Sequence, residues 1–137
     1  MKALILDVMG VLIDQDSLLN YEEFVKICDD LKAKGEFIVL YSSATSRVID
    51  YDPLHEFAQR YVDDGYFADN GKPMKPTKES FQEILSLHSL KPEECLYIDD
   101  GKANIEIAEK LGFHTIFYTN PIDVIDKLKK KIDEIEG

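Results

Sequence analysis

Asp7 closes the apolar run Ala3-Leu4-Ile5-Leu6 and opens the stretch Asp7-Val8-Met9-Gly10. A carboxylate at the tip of a buried strand, followed by a glycine turn, can serve both as a nucleophile and as a ligand for a hard cation. A second acidic pair, Asp99-Asp100, ends the apolar run Cys95-Leu96-Tyr97-Ile98. Two such strands side by side bring three carboxylates to one edge of a sheet. Adjacent acids repel one another unless a cation lies between them, so the pattern outlines a magnesium site.

The elements that must position these acids follow from hydrophobic periodicity. Residues 3–6 read as a buried strand. Asn20-Tyr21-Glu22-Glu23 has the form of a capping box, and Tyr21, Phe24, Val25, Cys28 and Leu31 follow at helical spacing up to Gly35. Residues 37–41 are a second strand that ends in the polar turn Ser42-Ser43-Ala44-Thr45. Leu54, Phe57, Ala58 and Tyr61 predict a short helix, and residues 66–68 a short third strand. Residues 70–76 are a loop by composition. Thr77 is placed to cap a helix carrying Phe81, Ile84 and Leu85. Residues 95–98 form a fourth strand, and a helix with Ile105, Ala108 and Leu111 runs to Gly112. Residues 115–118 form a fifth strand, and Pro121 opens the last helix.

Strands alternating with helices imply parallel strands joined by right-handed crossovers. The expected fold is α/β, a Rossmann-like three-layer sandwich around a parallel sheet of about five strands. Ligands in such sheets sit beyond the carboxyl ends of the strands. Asp7, Ser42 and Asp99-Asp100 all lie at those ends.

The chain has 137 residues, 45% hydrophobic and 31% charged, which suits one globular domain over residues 1–137. Its formal net charge of −11 argues against a nucleic-acid partner, since a phosphate backbone selects basic patches. No apolar run approaches the roughly 20 residues that span a bilayer, and the N-terminal apolar stretch is broken at Asp7, unlike a secretory signal. Cys28 and Cys95 lack metal-ligand spacing and read as small buried hydrophobes, which fits a reducing cytoplasm. His55, His88 and His114 form no cluster and are expected to be structural.

Four segments in order resemble the haloacid dehalogenase superfamily of aspartate-nucleophile hydrolases. They are Leu4-Ile5-Leu6-Asp7-Val8-Met9-Gly10-Val11-Leu12, then Val39-Leu40-Tyr41-Ser42, then Lys75-Pro76-Thr77-Lys78-Glu79-Ser80-Phe81, and Tyr97-Ile98-Asp99-Asp100-Gly101-Lys102-Ala103-Asn104. The resemblance implies an aspartyl-phosphate on Asp7 and a phosphate-binding hydroxyl on Ser42, helped by backbone N–H groups near Ser43. Ser43 or Thr45 can alternatively cap a helix there. Lys75 would hold the phosphoryl and nucleophile charges. Lys72 is a rival, because Gly71-Lys72-Pro73 has the same form; the spacing to the helix with Phe81 favours Lys75. Magnesium is implied on Asp7, the Met9 carbonyl and Asp100, with Asp99 direct or through water. Gly10 and Asn104 are expected beside these ligands, Asn104 either bracing the acidic loop or facing solvent.

Met9 departs from the pattern. Phosphatases of the superfamily usually carry Asp there, to protonate the leaving alcohol and later activate water. Methionine can do neither. Residues 8–41 and 43–74 are also too few to hold a large cap domain, so the chain looks capless. Capless relatives act on large substrates or assemble so that a neighbour closes the site. The stripe Ile122, Ile125, Leu128, Ile132 and Ile135 either packs on its own sheet or offers such a contact. The leading expectation is a magnesium-dependent phosphatase of reduced or atypical activity on a phosphorylated small molecule or macromolecule. The alternatives are an impaired descendant that binds phosphate, metal or a protein partner, and a carbon–halogen or carbon–phosphorus hydrolase.

Overall fold

All four residues of strand β1 (Ala3–Leu6) have no exposed surface, because β1 lies at the centre of the sheet and is covered on both faces. The structure is a computed structural model and describes residues 1–13, 16–69 and 75–136. The other strands are β2 (Phe37–Tyr41), β3 (Asp64–Tyr66), β4 (Cys95–Asp99) and β5 (His114–Phe117), and the order is β3-β2-β1-β4-β5. Every pairing is parallel. Leu6 stands opposite Leu40 and Ile98, so Asp7, one residue on, emerges level with Tyr41 and Asp99.

Helices α1 (Glu22–Ala33), α2 (Leu54–Tyr61) and α5 (Pro121–Glu136) cover one face, where Phe24, Phe57 and Leu128 meet Leu4, Leu40 and Ile98. Helices α3 (Lys78–Leu87) and α4 (Lys102–Leu111) cover the other, where Phe81 and Ala108 meet Ile5, Tyr41 and Tyr97. The chain runs outward from β1 to β3 and then returns to β4. Crossovers of one hand on either side of that reversal put their helices on opposite faces. The reversal also opens a crevice beyond β1 and β4, where ligands of such sheets bind.

Three local expectations change. Asn20 belongs to a 3-10 turn, Leu18–Asn20, started by the Ser17 hydroxyl accepting from Leu19 N at 3.0 Å; Tyr21 takes the N-cap position of α1 with no side-chain bond. The fully buried Leu18 draws the helical turn forward and takes Asn20 out of the cap. Strand β3 starts and ends two residues before the expected 66–68, because the Phe67 ring folds back over Gly65, where a Cβ would lie 2.1 Å from it. Strand β5 runs from His114 to Phe117 rather than over 115–118. Lys72 and most of the 70–76 loop lie outside the described residues.

The α5 stripe packs on its own sheet. Val124, Ile125, Leu128 and Ile132 are buried and Ile135 packs against the same core, while Ile122 is 70% exposed. Cys28 and Cys95 are buried free thiols, each pushed up to about 12, chiefly by burial. His88 Nε2 lies 2.8 Å from Asp64 Oδ2, and His55 Nδ1 lies 3.1 Å from Ile49 O, both structural contacts. Among the described residues, a 3-10 turn and α1 fill the connection from β1 to β2, and a 3-10 turn (Ser46–Asp50) and α2 fill that from β2 to β3. Neither connection carries a further domain among the described residues. No helix among the described residues is long and apolar enough to cross a membrane.

Two stability predictions follow from these ends and caps. Thr77 caps α3 by accepting from Ser80 N at 3.1 Å, so Thr77→Ala should cost about 1 kcal/mol in urea unfolding, whereas Asn20→Ala should cost no cap. Glu36 Oε2 is buried without a hydrogen-bond partner among the described residues. Burial first, and then Glu136, raises this carboxyl from 4.5 to about 7. The folded state therefore holds the proton more tightly than the unfolded state. The stabilisation is full below about pH 4.5 and lost as pH rises through about 7. Glu36→Gln should gain stability relative to the native protein across that window, read from unfolding midpoints.

Candidate active site

Alternation along the strands puts Asp7, Tyr41, Tyr97 and Asp99 on the sheet face that α3 and α4 cover. Asp7 follows β1, and its N–H donates to Ile98 O at 3.0 Å, which ties the strand tip to β4. Lys75 enters on the same face from the segment just before α3. Its ammonium donates to Asp7 Oδ1 at 2.7 Å, to Asp99 Oδ2 at 2.7 Å and to Tyr41 O at 3.0 Å. It stands 4.8 Å from the ring centre of Tyr41 and 5.9 Å from that of Tyr97. Both distances lie within cation–π range.

Asp99 has no exposed surface. Its Oδ1 accepts from Gly101 N at 2.7 Å; its Oδ2 accepts from Asn104 Nδ2 at 3.1 Å, from Lys75 and from the Tyr97 hydroxyl. Asn104, of the two roles open to it, therefore braces the acidic loop. Burial works against the charge of Asp99, but Lys75, Tyr97 and the Gly101 N–H outweigh it and hold the carboxyl below the usual range. Asp7 goes the other way. Burial raises it to about 7, against the pull of Lys75 and with a further push from Asp99. One ammonium serves two buried carboxylates and lies 2.7 Å from each.

Asp100 is exposed at the rim. Oxygens of Asp7, Asp99 and Asp100 all lie within 4.8 Å of one another, a cluster of hard donors that fits a divalent cation. Gly10 makes room for it. The residue has φ +83°, and a Cβ there would lie 2.1 Å from Asp100 Oδ2. A cleft of about 390 Å³ over these groups is lined by Asp7, Met9, Gly10, Ser43, Lys75, Pro76, Asp100 and Asn104. Met9 is 48% exposed, at its mouth.

Ser42 follows directly on β2. It is buried, and its hydroxyl accepts from Ala44 N at 3.1 Å; Ser43 is the serine that lines the cleft. The Ser42 hydroxyl keeps its own proton for donation. Thr45 holds the N-cap position of the 3-10 turn without a side-chain bond, and Ser43 is not at that position. Sequence reasoning missed Tyr41 and Tyr97. The available signal was period 2, since Tyr97 and Asp99 share a strand face.

Residues 1–112 match the family model for haloacid dehalogenase-like hydrolases. The chain is 29% identical over 96 residues to a D-ribitol-5-phosphate phosphatase from Bacteroides thetaiotaomicron, covering 66% of this chain and 47% of that protein. It spans less than half the length of the curated relatives it matches. Its fold is similar to that of a Porphyromonas gingivalis protein described as a predicted HAD-like family hydrolase (TM-score 0.77, 20% identity, 96% of this chain and 98% of that one). It is also similar in fold to a HAD family enzyme from B. thetaiotaomicron in complex with magnesium and inorganic phosphate (TM-score 0.62, 16% identity, 87% and 94% of the two chains).

The close fit of Gly10 under Asp100 makes Gly10→Ala a sensitive probe. A side chain at this positive φ costs roughly 1–2 kcal/mol and displaces the Asp100 carboxylate. Calorimetric titration with Mg²⁺ should show binding weakened about tenfold or more, the effect of about 1.4 kcal/mol.

Proposed function

The chain belongs to the haloacid dehalogenase-like hydrolase family, and from that premise we propose that it is a magnesium-dependent phosphatase working through an aspartyl-phosphate on Asp7. The observation that carries this reading is the convergence of Asp7, Lys75, Asp99 and Asp100 at the crevice beyond β1 and β4. The similarity to a sugar-alcohol phosphate phosphatase supports it.

Asp7 Oδ attacks phosphorus, and the bond from phosphorus to the leaving oxygen breaks, the oxygen departing with the electron pair. Lys75 faces both the attacking carboxylate and the incoming phosphoryl charge. The Ser42 hydroxyl and the backbone near Ser43 orient the phosphoryl oxygens. Water then attacks the aspartyl-phosphate, releasing phosphate and restoring the carboxylate. Magnesium would be held by Asp7, Asp100 and the Met9 carbonyl, with Asp99 acting through water because its oxygens already accept four hydrogen bonds; bound there, it would neutralise the approaching anions.

Met9 shapes the choice of substrate. A thioether has no proton to give, so leaving groups that depart unprotonated, such as aryl or acyl phosphates, are favoured over alkyl phosphates. The same lack of a base slows attack by water and prolongs the phosphoenzyme. A second reading, a phosphate- or partner-binding protein with little turnover, rests on the same residue.

The test is phosphate release from an aryl phosphate with Mg²⁺, comparing the native protein with Asp7→Asn and Met9→Asp. Slow native turnover that Asp7→Asn abolishes is expected, with Met9→Asp gaining about 10²–10⁴-fold on alkyl substrates. Turnover that survives in Asp7→Asn would remove Asp7 as nucleophile. Turnover confined to Met9→Asp would favour the binding reading, and silence in all three would count against a phosphatase.

A further inference from the structure

Tyr97 fills core volume that Phe or Leu could fill as well, packing its ring 5.8 Å from Tyr41 and 5.2 Å from Phe81. Its hydroxyl has a separate use. It donates to Asp99 Oδ2, two residues along the same strand face. Asp99 has no exposed surface, so protein donors carry most of the work of satisfying its oxygens and setting its rotation. Tyr97, Lys75, Asn104 and the Gly101 N–H do so from four directions.

The Lys75 ammonium has three N–H groups, and the three acceptors around it are Asp7, Asp99 and Tyr41 O. In the proposed reaction Asp7 is consumed and regenerated, so it cannot be the fixed reference for the ammonium. The references that persist are Tyr41 O, on the strand, and Asp99, whose orientation is set from below. Tyr41 is itself anchored. Ser80 gives its single proton to Thr77 O at 2.8 Å, so Tyr41 is the donor in the Tyr41–Ser80 hydroxyl pair.

We infer that Tyr97 is a positioning residue whose hydroxyl holds Asp99 in the rotation that shares Lys75 evenly with Asp7. The placement stands on geometry, and only its kinetic consequence rests on the phosphatase reading. Without the hydroxyl, Asp99 Oδ2 loses one of three donors and draws Lys75 toward itself. Asp7 then meets the phosphoryl group with less of the cation.

The test is Tyr97→Phe, which keeps the ring. Lys75 is followed by its side-chain ¹⁵N resonance, identified by its absence in Lys75→Met. The resonance should move in Tyr97→Phe and stay in Tyr66→Phe, which removes a neighbouring phenol bonded to Glu83. In the aryl phosphate assay, kcat should fall about 10–100-fold, the size of a hydrogen bond to a charged group, with KM nearly constant. An unmoved resonance, or unchanged kcat, overturns the inference. A moved resonance in a protein without native turnover leaves Tyr97 its role and removes the phosphatase reading instead. The native protein supplies a check that needs no Tyr97 variant: the Tyr97 hydroxyl proton should exchange slowly with solvent, and rapid exchange would overturn the inference.

Discussion

Two buried carboxylates sharing one ammonium organise this end of the molecule. Asp7 and Asp99 each lie 2.7 Å from Lys75, in a region where Asp99 has no exposure and Asp7 almost none. Removing charges from water costs several kcal/mol per ion unless partners replace the water. Here the replacement is nearly complete for Asp99 and partial for Asp7. The difference shows in their opposite tendencies, Asp99 held ionised and Asp7 raised to about 7. A buried acid left short of partners is disposed to seek a cation or an electrophile, as the proposed role of Asp7 demands.

The parallel sheet makes this sharing possible. Register sets Asp7 level with Tyr41 and Asp99, and period 2 turns all three to one face. The aromatic cluster of Tyr41, Tyr97, Phe81 and Phe113, with ring centres 4.9–5.8 Å apart, forms the floor on which the ammonium rests. Stability and site are therefore built from the same side chains. The tyrosine rings belong to the core, their hydroxyls to the polar network above it.

Above that floor the site is open. Met9 and Asp100 reach solvent, and among the described residues neither connection following β1 or β2 carries a covering domain. An open cleft excludes little water and offers a substrate few walls. In the proposed phosphatase the phosphoryl group, rather than the rest of the substrate, would supply most of the recognition. Met9 adds an apolar group at the point where the family resemblance expects a proton carrier.

Much of this was legible from the order of residues. The apolar runs ending in Asp7 and Asp99, the turn at Gly10 and the Thr77 cap are local patterns, and local patterns survive folding because each depends on neighbours a few residues away. Five strands, five helices and the meeting of Asp7 with Lys75 and Asp99 follow from them together with the family resemblance. The structure decided what depends on distant partners: that Leu18 takes Asn20 out of a capping box, that β3 lies two residues earlier with the Phe67 ring folded over Gly65, and that Ser43 lines the cleft. It also decided how the surroundings of the two acids differ. That outcome depends on how many donors reach each carboxylate and how much water is excluded, and those are set only when β4, α4 and the segment before α3 close around Asp99.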